Sequence, residues 1–183
     1  LTAVIAFHGA SCESSAEPCA SSLERARSKA LQFASPQTSI ALSFDDSSSR
    51  TIVRGENPVA RNISYLDGNR SLRVQTYASL RRSNVYRGID AVYYFRHGEL
   101  EFDLIVAPGI DPRSIKMRFD GARSVAIDLR GALLVCAGDH SLRLDPPNAY
   151  QRSPQGNIPV SCRYVRNSDG SVAYSLDGYD STE

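Results

Sequence analysis

From about residue 38 onward the chain is cut at short, regular intervals by turn-forming residues, and this punctuation limits the fold more than any other feature. Turns are read at "DDSSS" (45–49), "GENP" (55–58), "DGN" (67–69), "HG" (97–98), "PG" (108–109), "DG" (120–121), "RG" (130–131), "QGN" (155–157) and "DG" (169–170 and 177–178). Gly supplies positive φ in such places, Pro presets φ, and Asn and Asp bond their own backbone. Between the turns stand "SIALSF", "SLRVQTY", "AVYYF", "ELEFDLIV", "SIKMRF", "SVAIDL", "ALLVC", "PVSCRYV" and "SVAYSL", in which side chains alternate with period two. Short alternating segments at roughly 8–12-residue spacing predict an all-β fold, an antiparallel β-sandwich-like domain.

One stretch departs from this rule. In "SSLERARSKALQF", Ser21 and Glu24 form a capping-box pattern ahead of Leu23, Ala26 and Ala30 at helical spacing, which predicts a short N-terminal helix over 22–31. At 183 residues the chain has the length of one domain. The reading is a single β-rich domain over 21–183, preceded by an N-terminal segment, 1–20. Within that segment "LTAVIAFHGASC" reads as the end of a signal peptide, and "GASC" as a partial lipoprotein cleavage site with Gly9 where a large aliphatic residue belongs. The alternative for the same residues is a short β-strand opening the domain.

Charge excludes some partners. With 21 basic and 20 acidic residues the formal net charge is +1, which gives no electrostatic reason for nucleic acid or an anionic membrane as partner. No apolar run approaches the ~18 residues of a membrane span. The cysteines are Cys12, Cys19, Cys136 and Cys162. No CxxC occurs and the 3 histidines stand far apart in the chain, so neither a metal nor another cofactor is called for. In an exported chain the even count favours disulfides Cys12–Cys19 and Cys136–Cys162; in a cytosolic one the four are free thiols.

The segments around His97-Gly98 fix a hairpin. Ile89, Ala91, Tyr93 and Phe95 share one face, and Leu100, Phe102, Leu104 and Val106 share another. A two- or four-residue loop pairs Phe95 with Leu100 and Tyr93 with Phe102, burying one continuous apolar face. The outer face then carries Tyr94 beside Glu101, Arg96 beside Glu99 and Val92 beside Asp103. Alternating carboxylates at Glu99, Glu101 and Asp103 resemble the acid–base pair of a glycosidase, but every acidic strand face has that spacing. A solvated strand face is the preferred reading. Tyr94, Arg96, Glu101 and Asp103 are the candidate binding residues.

Other chemistry is weaker. His8, His97 and His140 are isolated; "DHS" (139–141) reads as a polar turn, since adjacent residues point apart and no G-x-S-x-G elbow occurs. The Asp-Gly pairs lack a calcium-loop ladder. The sequons "NIS" (62–64) and "NRS" (69–71) carry little weight.

The stretch "VYRGIDAVYYFRHGELEFDLIVAPGIDPRSIKMRFDGA" (85–122) closely resembles a bacterial domain found ahead of SBBP-type β-propeller repeats. That pattern reads V-Y-P-G-I-D-L-V-Y-Y, a short loop, L-E-Y-D-F-V-V-A-P-G-A-D-P, and a strand into F-x-G-A. "RGENPVA" (54–60) is similar to its upstream turn, and "VSCRYVRNSDGSVAYSLDGYDST" (160–182) to its closing strands. Arg87 stands where the pattern has Pro. The resemblance implies a secreted or surface-attached bacterial protein with no assigned activity. The expectation is a non-catalytic extracytoplasmic module, structural or adhesive. Its partners are downstream β-propeller repeats of the same polypeptide, or an extracellular glycan or protein. The alternative is a glycan-active hydrolase using Glu101 and Asp103.

Overall fold

The computed structural model describes residues 2–14, 30–35, 38–45, 47, 51–67, 70–138 and 140–179. The first half of the chain contributes β1 (Thr2–Ser14), β2 (Ala30–Ser35), β3 (Thr38–Phe44), β4 (Ile52–Asp67) and β5 (Arg70–Tyr86). The central hairpin is β6 (Ile89–Arg96) and β7 (Glu99–Val106), followed after a short 3₁₀ turn (Pro112–Ser114) by β8 (Met117–Asp120) and β9 (Ser124–Ile127). The last strands are β10 (Leu133–Ala137), β11 (His140–Leu144), β12 (Asn148–Ser153), β13 (Gly156–Arg166) and β14 (Val172–Asp177). The strand order is β2-β3-β8-β14-β13-β12-β1-β7-β6-β5-β4, with β11, β10 and β9 branching from β1.

Two layers result, because β13 changes partner along its length. Gly156–Val160 pair with β12, and Ser161–Arg166 pair with β14. The ladder therefore turns a corner and folds β14, β8 and β3 back over β7 and β6. Ile40, Leu42, Phe44, Met117 and Phe119 from one layer meet Ile89, Ala91, Tyr93, Phe102 and Leu104 from the other, all buried. Phe44 packs edge-on against Tyr86 and Phe102, at centroid distances of 6.3 and 6.4 Å. This is the face-to-face packing of an antiparallel β-sandwich.

The tyrosine of "VYRGID" ties the layers by hydrogen bonds as well. The Tyr86 hydroxyl donates to the Asp45 carbonyl (2.6 Å) and accepts from the Lys116 backbone N–H (3.2 Å). After Tyr86 the chain reverses through Arg87 and Gly88, with Gly88 at φ 73 and Ile89 paired to Tyr86. Positive φ at the second central residue alone is the pattern of a type II turn, whose first central position suits Pro. Arg87, exposed and not at positive φ, takes that position.

Several expectations are corrected. Of the helix expected over 22–31, residues 22–29 lie outside the described residues, while Ala30 and Leu31 open β2 and pair with Ser43 and Leu42. A ladder partner there outweighs the helix propensity of Ala and Leu. "GENP" is no turn but lies inside β4: Asn57 takes φ 54, and its amide donates to Ser79 Oγ at 3.1 Å, so the ladder continues through the irregularity. In "DHS", His140 and Ser141 belong to β11, because Leu142 and Leu144 alternate into the core and draw the strand back to residue 140.

Cys136 and Cys162 are free, half-buried thiols rather than a disulfide. Cys136 on β10 faces Ser124 and Ser141, Cys162 on β13 faces Leu176, and β10 and β13 do not pair. Burial pushes the Cys162 thiol up to about 12. Cys12 lies in β1, whereas Cys19, and with it the Cys12–Cys19 pairing, lies outside the described residues. The opening apolar run, Thr2–Ser14, is a strand inside the sheet, with β7 on one side and β12 and β11 on the other.

Candidate functional site

The outer face of β6 and β7 holds the residues singled out from sequence. His97 and Gly98 both take positive φ (54 and 88), the two-residue type I′ turn that matches strand twist. It sets Arg96 against Glu99, Phe95 against Leu100, Tyr94 against Glu101, Tyr93 against Phe102 and Val92 against Asp103. That is the register expected from burial of the apolar face.

The outer face is not uniformly wet, however. Glu99 and Arg96 are exposed and Asp103 is half-buried, but Glu101 is only 5% exposed. β7 is an interior strand, flanked by β6 and β1. The register of β1 slips between Phe7 and Ala10, so the backbone of residues 8–9 lies opposite Glu101. A carboxylate between two neighbouring strands has far less water than one on an edge. The expectation of a solvated face therefore fails at Glu101 and holds at Glu99.

Tyr94 organises the site. Its hydroxyl donates to Asp103 Oδ1 at 3.0 Å and faces Glu101 as well. Burial, then the two carboxylates, hold the Tyr94 phenol well above its usual range, so it remains a hydrogen-bond donor. Arg96 is not part of this cluster: its register partner is the exposed Glu99 at the open end of the hairpin.

The adjoining strands add a residue that the single-hairpin reading missed. Arg81 on β5 lies beside Val92 and bonds Glu56 Oε1 at 2.6 Å and Asp90 Oδ2 at 3.1 Å. The Glu56 hydrogen bond raises the Arg81 pKa. Asp90 also accepts from the Asn84 backbone N–H at 2.8 Å, which fixes the approach to the Arg87-Gly88 turn. The signal for Arg81 was its place in an alternating strand; the partner strand could not be read before the register of β5 on β6 was known.

A cleft of about 340 Å³ opens elsewhere, between the β8–β9 turn and the β13–β14 turn, with Arg118, Arg123 and Arg166 in its lining. Arg118 is fixed there by a forked pair with Asp45 and a 3.2 Å bond to the Asp169 carbonyl. Sequence reading did not connect these residues, which are far apart in the chain. Among the described residues no group of three or more His, Cys, Asp or Glu is arranged to hold a metal ion.

Fold and site together define an antiparallel β-sandwich with a bonded Tyr–carboxylate cluster on one strand face. The chain belongs to the family described as a domain of unknown function, DUF7948, whose model matches residues 4–183. Neither a curated protein nor a solved structure matches it.

Proposed function

We propose that the chain is a non-catalytic, extracytoplasmic module of a bacterial protein of the SBBP β-propeller type, structural or adhesive in role. It works toward the propeller repeats of its own polypeptide, or toward an extracellular glycan or protein. The observation that carries this reading is the state of the carboxylates on this face, the candidate Asp103 and its neighbours Glu56 and Asp90. Asp103 accepts a hydrogen bond from Tyr94, and Glu56 and Asp90 both hold Arg81. Carboxylates engaged with their own sheet act as struts between strands, as cross-strand polar pairs do. The bacterial, exported context comes from the resemblance of residues 85–122 to the domain that precedes SBBP repeats.

One observation favours the alternative hydrolase. A carboxyl as buried as Glu101, close to a second one, is what an acid–base pair needs. A glycan panel offered to the wild-type chain, Glu101→Gln and Asp103→Asn separates the two. The expected outcome is no hydrolysis by any of the three. Turnover by the wild type that both variants lose would establish the hydrolase and end the non-catalytic reading.

A further inference from the structure

β4 and β5 run on past the rest of their sheet. β6 pairs with β5 at Ser79–Arg82 and at Tyr86, so from Tyr77 outward the two strands form a ribbon with no third strand beside it among the described residues. One face of this arm is apolar. Ile63 lies opposite Val74, Tyr65 opposite Leu72, and Val59 precedes them on the same side. They are 45%, 38%, 59%, 64% and 40% exposed in that order. The other face carries Ser64, Arg73 and Gln75, whose amide bonds the Val59 carbonyl at 2.7 Å and closes the irregularity after Val59.

Parity along β5 makes the apolar strip a continuation of the inner side of the sandwich. Residues 72, 74, 76, 78 and 80 alternate in the same sense, and Leu80 packs on the core. A two-stranded ribbon with a naked apolar face is marginal in water and needs a third layer or strand. The five side chains expose roughly 500 Å² together, at the size where apolar patches on soluble proteins mark contact sites. The outer edge of β4 is blunted by Pro58 and by the register slip between Val59 and Asn62, as edge strands are when edge pairing is avoided. What remains available is the face.

We propose that the chain dimerises by packing the apolar faces of two β4–β5 arms against each other. The cover that the strip needs is a flat apolar β-face two strands wide and about 20 Å long, the span of seven extended residues. Among the described residues the arm is itself such a face, and a two-fold axis brings one strip onto the other. Two stacked ribbons form a four-stranded sandwich with the ordinary sheet spacing. The strips bury roughly 1,000 Å² in total, and a polar rim brings this to the lower end of the ~1,200–2,000 Å² of stable interfaces. The dimer is therefore weak, with Kd on the order of micromolar.

The inference rests on reading the chain as a binding module, and the test is separate from the glycan panel. Sedimentation equilibrium of the whole chain in reducing buffer, from about 1 to 200 μM, reads the association directly. The wild type is expected to pass from monomer to dimer across that range. A Tyr65→Ser/Leu72→Ser double variant is expected to weaken the dimer at least about tenfold, as loss of central apolar contacts does. Ile158→Ser, which alters an exposed isoleucine on β13, leaves association unchanged. A wild type that stays monomeric throughout overturns the proposal without reference to any variant. So does a dimer that yields to Ile158→Ser and not to the arm variant, or a monomer whose arm binds lipid vesicles or a glycan array instead.

Discussion

Phe102 in β7 and Tyr65 in β4 sit on the apolar rows of two alternating strands, yet 4% of one and 59% of the other is exposed. Phe102 lies 6.4 Å from Phe44, which arrives from β3 across the sandwich, and 6.0 Å from Tyr93 on the neighbouring strand. Tyr65 stands across from Leu72, which is itself 64% exposed. Alternation thus states which side of a strand seeks cover. Whether cover arrives depends on where a distant strand is led, and here the corner in β13 brings β3, β8 and β14 over β6 and β7.

The largest expected effect falls on the covered side. Phe102→Ala should destabilise the fold by roughly 3–5 kcal/mol, the usual range for a buried aromatic truncated in a packed core. Urea unfolding at a fixed low protein concentration measures it. A loss below about 1 kcal/mol would mean that the two layers do not pack through this residue, and the contrast with Tyr65 would collapse.

Next comes the polar face of the same hairpin. Glu101 is buried and faces the Tyr94 hydroxyl, so Glu101→Gln keeps the shape and removes the charge. A hydrogen bond to a charged group contributes more than a neutral one, and the expected loss is about 1–3 kcal/mol. Glu99→Gln, at the exposed position two residues earlier, should change little. Equal effects at the two sites would show that both carboxylates are solvated alike.

A third test bears on how the covering layer is aimed. Gly109 takes φ 75 in "APGIDP", with open space where a side chain would stand. Its penalty is then purely one of backbone conformation, and Gly109→Val should cost about 1–2 kcal/mol. The turn it serves leads from β7 into the 3₁₀ turn that Asp111 caps by accepting the Arg113 N–H at 2.9 Å, and on to Ile115 and Met117, both fully buried. An unchanged melting temperature would mean that this path tolerates other geometries.

Local chemistry explains which of these features were legible in the sequence. The β6–β7 register followed from two apolar rows and a turn that only positive φ can close. The turn at Gly109 followed from the Pro108-Gly109 pair. The burial of Glu101 did not, because it depends on β1, whose "LTAVIAFHGASC" reads first as a leader and only alternatively as a strand. The cysteine pairing failed for a similar reason: Cys136 and Cys162 both lie on strands that close the sandwich, but the order of those strands separates them. The "GENP" turn failed because Asn57 can take positive φ inside a ladder when its amide finds Ser79. In each failure the missing information was a partner strand, not a property of the segment itself.

The smallest expected effect lies on the arm. Leu72 is 64% exposed, so only about a third of its side chain is covered in the single chain. Full burial of a leucine contributes ~1.5–3 kcal/mol, and Leu72→Ser should therefore lower stability by roughly 0.5–1 kcal/mol. The measurement belongs at low protein concentration, where the arm stands alone and no second copy adds to its stability. Repeated at high concentration, the same variant should fall further behind the wild type, because only the wild type gains from association. A large loss already at low concentration would place Leu72 in the folding core of the single chain. The arm would then be a covered element like β7, and the difference between Phe102 and Tyr65 would be one of degree.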